Sequence, residues 1–97
     1  MQDEHEPVEF PIDGTLDLHT FLPRDVKDLV PDYLQACRER GILSVRIIHG
    51  KGTGTLRQLV HTVLDRLPYV ITYYTAPDAS HWGATVVELL PMDTEQP

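Results

Sequence analysis

The apolar residues of this chain switch back and forth between a two-residue and a three-to-four-residue spacing, and that succession restricts the fold more than any other feature. A two-residue period lines one face of a strand, whereas a period near 3.6 lines one stripe of a helix. Thr15-Leu16-Asp17-Leu18-His19 alternates, with Leu16 and Leu18 on one face and Asp17 with His19 on the other, which predicts a first strand. From Pro23 to Arg40, Val26, Leu29, Val30, Tyr33, Leu34 and Cys37 recur at helical steps, and Gly41 stands where a left-handed cap would end the helix. Pro31 lacks a backbone donor and crowds the turn before it, which predicts a kink or a one-turn break within an unbroken apolar phase. Leu43 to His49 is short and β-branched. A second helix is predicted from about Thr55, with Leu56, Leu59, Val60, Val63, Leu64 and Leu67 on one face and Pro68 closing it. Tyr69 to Thr75 and Ala84 to Leu90 read as strands on either side of the turn-prone Ala76-Pro77-Asp78-Ala79-Ser80. The order is β-α-β-α-β-β. Strand-helix-strand connections favour parallel neighbours, so the expected fold class is α/β: a two-layer sandwich in which a mixed four-stranded sheet carries two helices on one face.

A chain of 97 residues with 41% hydrophobic content has room for a single core. One domain over 12–91 is therefore expected, between an acidic tail at 1–11 and a polar tail at 92–97. No apolar run approaches the ~20 residues of a membrane span, and the start, Met1 to Glu6, is acidic where a leader would be basic. The expectation is a soluble, cytoplasmic monomer without a membrane partner. The single cysteine, Cys37, excludes an intramolecular disulfide and a Cys-rich zinc site, and it reads as a small buried hydrophobe in the first helix.

The formal net charge of −7 argues against a polyanionic partner only until its distribution is read. All eight bases lie between Arg24 and Arg66, where only five acids sit, so that stretch carries +3 while both flanks carry acids alone. Within it, His49 is followed at once by Gly50-Lys51-Gly52-Thr53-Gly54 and then by the second helix. Glycines let backbone donors approach an anion, a helix start offers unpaired N–H groups, and Lys51 adds a full charge, so a phosphate fits there. The Walker pattern is absent, and a tight turn with Thr53 or Thr55 as helix cap accounts equally for the composition.

Asp17 and His19 place a carboxylate beside an imidazole. Such a pair can fix the histidine tautomer for acid–base work, can offer two ligands to a divalent metal, or can simply decorate an exposed sheet face. If the first two strands are parallel neighbours, Asp17, His19 and His49 are expected to converge at their C-terminal ends beside the glycine loop, where open α/β sheets bind ligands. Trp82, ahead of Gly83 and the last strand, either stacks on a base or caps the sheet edge. His61, His81 and His5 read as solvated or packing residues, and no structural zinc spacing appears.

Leu16-Asp17-Leu18-His19, Ile47-Ile48-His49-Gly50-Lys51-Gly52-Thr53-Gly54 and Gly83-Ala84-Thr85-Val86-Val87, in that order across residues 15–90, resemble the Smr (small MutS-related) domain. Members of that family occur at the C-terminus of some MutS paralogues and as stand-alone bacterial proteins. The resemblance implies a fold similar to the C-terminal domain of bacterial translation initiation factor 3. It also implies nucleic-acid binding and, in several members, endonuclease activity on DNA or RNA. By motif it assigns Asp17 and His19 to catalysis and places His49 in a second, His-Gly-x-Gly motif; the expected catalytic set is Asp17, His19 and His49. Gly50, Lys51, Gly52, Thr53 and Gly54 are assigned to phosphate or nucleic-acid binding, with Arg46, Arg57, Trp82 and Gly83 nearby. Thr20 replaces the glycine that follows the first-motif histidine, and His81-Trp82-Gly83 replaces a Gly-Gly before the last strand; bulk at both places narrows a groove or changes its substrate. Cleavage of RNA by two histidines needs no cofactor, whereas cleavage of DNA by activated water implies a divalent Mg or Mn ion held by Asp17 and His19. The competing expectation is a non-catalytic module that docks on nucleic acid or the ribosome, and a further one is a protein-interaction domain recruiting a basic partner through its acidic tails.

Overall fold

A computed structural model of the chain describes residues 12–50, 54–77 and 83–92. The expected tails, apart from Met92, and the residues Lys51, Gly52, Thr53, Asp78, Ala79, Ser80, His81 and Trp82 lie outside that range. Its elements are β1 (Thr15–Asp17), α1 (Pro23–Glu39), β2 (Ser44–Ile48), α2 (Thr55–Asp65), β3 (Val70–Thr75) and β4 (Ala84–Leu89), in the order anticipated from periodicity.

The four strands form one mixed sheet in the order β1-β2-β4-β3. β1 pairs parallel with β2, Asp17 standing opposite Ile48, while β2 with β4 and β3 with β4 are antiparallel. Alternation sorts the strand residues cleanly. Leu16, Leu18, Val45, Ile47, Val87 and Leu89 join Val26, Val30, Leu34 and Cys37 of α1 and Val60, Val63 and Leu64 of α2 in a single buried cluster, so both helices cover the same face. The opposite face carries Asp17, Arg46 and a small cluster of Ala76, Ala84, Val86 and Ile48.

One expectation is narrowed by the structure and one departs from it. Of the kink or one-turn break expected at Pro31, the break does not occur: the first helix runs from Pro23 to Glu39, and Val30, Tyr33 and Leu34 around the proline are locked into the core. Its end is as expected: Gly41, with φ +76°, donates to the Arg38 carbonyl and Ile42 to that of Cys37, the paired bonds of a Schellman cap. The first strand stops at Asp17 rather than His19, since the chain turns there; Leu18 still donates to the Ile48 carbonyl, and Phe21 donates back to Leu18. Tyr33 braces the strand's start from α1, its hydroxyl accepting from the Gly14 N–H at 3.1 Å and donating to the Thr15 carbonyl at 3.0 Å.

Leu34 has no exposed surface and sits within the cluster joining both helices to the sheet. Leu34→Ala is expected to cost about 2–5 kcal/mol, through lost burial and the cavity it leaves, measured as a lower denaturation midpoint at unchanged m-value.

Candidate functional site

The parallel pairing of β1 and β2 brings two loops to the same sheet edge, one from β1 to α1 and one from β2 to α2. The first carries the carboxylate–imidazole pair. Asp17 Oδ1 accepts from the His19 backbone N–H at 3.0 Å and lies 2.7 Å from His19 Nδ1. The two side chains therefore meet through a turn closed by the aspartate itself, and strand alternation, which the sequence reading invoked, plays no part beyond Asp17. With Nδ1–H given to the carboxylate, the neutral ring keeps its lone pair on Nε2. The His19 side chain is 71% exposed and that of Asp17 47%. The backbone N–H of His19, followed by the ring bond, holds the Asp17 carboxyl below its ordinary value, so Asp17 is ionised throughout the neutral range.

His49 is placed differently. It continues the inward parity of Val45 and Ile47, is only 5% exposed, and points into the helix layer, whereas Asp17 faces away from it. Its Nδ1 lies 3.1 Å from the Gly50 carbonyl and its Nε2 2.9 Å from Thr85 Oγ1 on β4. The same hydroxyl lies 3.0 Å from Nε2 of His61 on α2, whose ring rests 4.7 Å from that of Tyr73. Among the described residues no hydrogen bond joins His49 to Asp17 or His19, so the three expected partners form two separate groups on either side of one sheet edge. The reason is parity: Asp17 stands opposite Ile48, one residue out of phase with His49.

The glycine motif starts in a braced conformation. The N–H groups of His49 and Gly50 both donate to the Gly83 carbonyl, at 2.8 and 3.0 Å, which commits the Gly50 donor and removes it from the set that could meet an anion. Gly50 has φ +79°, and a Cβ built on Gly83 would meet Gly50 Cα at 3.4 Å, an ordinary contact distance. Gly54, at φ +89°, opens α2 and offers no side-chain cap; as in any helix the first-turn N–H groups have no intrahelical acceptor, and Thr55 at the first position is itself partnered. A small pocket of about 190 Å³ lies here, lined by Pro23, His49, Gly50, Gly54, Thr55 and Arg57 among others. Arg57 projects from the first turn of α2 beside it, while Arg46 belongs to the opposite sheet face with Asp17 and is itself partnered. The predicted Lys51, Gly52, Thr53 and Trp82 lie outside the described residues. No three His, Cys, Asp or Glu side chains converge among the described residues, and no helix among them is long and apolar enough to cross a membrane.

Sequence reasoning passed over Thr85 and treated His61 as a solvated or packing residue. The available signals were faint: a threonine among the apolar residues that open the last strand, and a histidine next to Val60 on the border of the second helix's apolar face.

Burial, followed by nearby Arg57, pushes the His61 imidazole below its ordinary range, and burial does the same to His49 against the opposing bond to Gly50. A histidine whose folded pKa is depressed stabilises the fold fully above its unfolded value and loses that contribution as pH falls below about 6.5. Thermal unfolding followed by circular dichroism is therefore expected to show a falling midpoint from pH 7.5 to 5, with a shallower fall in His61→Gln; the depressed Asp17 adds a second loss only below about pH 4.

Comparison with known proteins gives this geometry a context. The Smr domain profile matches residues 16–90. "Endonuclease MutS2" of Halothermothrix orenii is 40% identical over 79 residues, covering 80% of this chain and 10% of that protein. "Ribosome rescue factor SmrB" of Shewanella baltica is 35% identical over 86 residues, covering 88% of this chain and 48% of that protein. The chain thus spans a tenth of the first relative and about half of the second. The crystal structure of the Smr domain of Thermus thermophilus MutS2 superimposes with a TM-score of 0.75 at 35% identity, covering 79% of this chain and 98% of that one. With the profile spanning all six elements from Leu16 to Leu90 and a solved Smr domain sharing the architecture, this chain belongs to the Smr domain family.

Proposed function

We propose that this chain binds nucleic acid and cleaves its phosphodiester backbone as an endonuclease in the cytoplasm. The observation that carries the reading is the exposed Asp17–His19 pair, joined at 2.7 Å, on a loop that leads directly to Pro23 at the wall of the pocket under α2. The carboxylate holds Nδ1–H, so His19 Nε2 is a lone pair directed by a fixed partner, the arrangement a general base needs. It takes the proton of the attacking oxygen, a ribose 2′-hydroxyl in RNA or water in DNA; that oxygen bonds to phosphorus, the opposite P–O bond breaks, and the leaving oxygen takes a proton from water. The start of α2, with Arg57 and the sequence-adjacent Lys51, is suited to the phosphate charge. His49, with both ring nitrogens already bonded, serves as a support for the loop and leaves the proton transfer to His19. A divalent Mg or Mn ion held by Asp17 and His19 would have no third His, Cys, Asp or Glu ligand among the described residues, so phosphate and water would supply most of its shell.

The names of the two relatives, an endonuclease and a ribosome rescue factor, favour nucleic acid or the ribosome as partner. A second reading, a docking module without cleavage, is favoured by Thr20 beside the dyad, where the family's first motif carries glycine.

The decisive experiment incubates the protein with labelled single-stranded RNA, duplex DNA and branched DNA, in magnesium, manganese or chelator. His19→Ala is expected to lower cleavage by about 10²–10⁴-fold with retention of the substrate unchanged. Retention without cleavage by the wild type establishes the docking module instead, and neither activity refutes both readings. Arg57→Ala is expected to weaken retention on every sequence and to flatten the dependence of log affinity on log salt by about 0.7–0.9, the slope of one phosphate contact.

A further inference from the structure

The buried polar chain that runs from the glycine loop to the second helix has no role in the reaction described above, yet its bonding is fully determined. A carbonyl only accepts, so the Gly50 oxygen requires the hydrogen of His49 to be on Nδ1. Nε2 of a neutral His49 is then a lone pair, and the Thr85 hydroxyl 2.9 Å away donates to it. That hydroxyl has a single hydrogen, so toward His61, at 3.0 Å, it can only accept, and His61 carries its hydrogen on Nε2. Thr85 is completely buried and His49 nearly so, which makes an unmade bond in this chain costly. The three bonds connect the end of β2, the middle of the sheet and α2, elements far apart in sequence.

We propose that Thr85 and His61 are positioning residues that hold the entrance of the glycine loop: their hydroxyl and imidazole fix the His49 ring, and through it the Gly50 carbonyl. Gly50 is pinned from two sides, its carbonyl by His49 and its N–H by the Gly83 carbonyl. The turn at φ +79° that starts the loop is thereby set relative to the α2 N-terminus. The inference rests on the proposed function only in what the loop is for, namely holding a phosphate; the positioning itself is separable.

Two readouts test it on the intact chain with ¹⁵N-labelled histidine. At about pH 8, where neutral imidazoles dominate, ring ¹⁵N shifts are expected to show His49 protonated on Nδ1 and His61 on Nε2; a His49 hydrogen on Nε2 overturns the proposal. Thr85→Val, which keeps the shape and loses the hydroxyl, is expected to speed hydrogen exchange of the Gly50 amide about tenfold, the scale of one buried hydrogen bond, and Thr85→Ser to restore it. Should the valine variant fail to fold, His61→Leu is expected to speed the same exchange and His61→Gln, which keeps an N–H donor, to leave it slow; an unchanged rate in His61→Leu overturns the role of His61. Retention of labelled single-stranded RNA and duplex DNA is expected to follow the exchange rates across the variants. If the wild type retains neither, the functional reading fails while the tautomers and exchange rates still decide the positioning role; if it retains one and Thr85→Val does so equally well, the positioning role fails alone.

Discussion

The parallel pairing of β1 with β2 is the interaction on which the site depends. A parallel pair needs a crossover, here α1, and its two strands end at the same edge of the sheet. That edge receives both motif-bearing loops at once. In an antiparallel arrangement the turn after Asp17 and the loop after His49 would leave opposite ends of the sheet, and the dyad would have no pocket beside it. The core sustains this pairing from below, since Leu16 of the short first strand and Leu18 just after it are buried in the cluster with both helices.

Two histidines in neighbouring motifs end in opposite environments. His19 stands in solvent, tied to one carboxylate, with a ring nitrogen left for chemistry. His49 is buried, with each ring nitrogen occupied, and acts as masonry between the sheet, the loop and α2. The difference follows from the cost of burying an unpaired polar group: a histidine in the helix layer must find partners, and once it has them its nitrogens are no longer free to exchange protons with a substrate. The glycines divide similarly. Gly50, with its left-handed φ, and Gly83, whose carbonyl accepts from the His49 and Gly50 N–H groups, fix the start of the loop, whereas Gly54 leaves the helix start without a side-chain cap.

The resemblance to Smr domains drawn from three short motifs agrees with the profile match over residues 16–90 and with the superposition on a solved Smr domain. The order of elements, the face of each helix, the Schellman end of α1 and the mixed sheet were all legible, because each rests on local spacing or on a glycine with left-handed φ. Asp17 and His19 were legible as a pair, though for a different geometric reason: a two-residue separation suits an aspartate-closed turn as well as a strand, and spacing alone does not distinguish them.

What the sequence determined by itself was therefore everything governed by neighbours a few residues apart: helix stripes, strand alternation, caps, and the carboxylate beside the first imidazole. The tertiary structure alone decided which face each histidine would occupy and what it would bond. Thr85 lies 36 residues from His49 and 24 from His61, and they meet only because β4 is inserted between β2 and β3. Hydrogen-bond partners across such separations are chosen by sheet order and register, which arise from the packing of the whole core and leave no periodic trace in the chain.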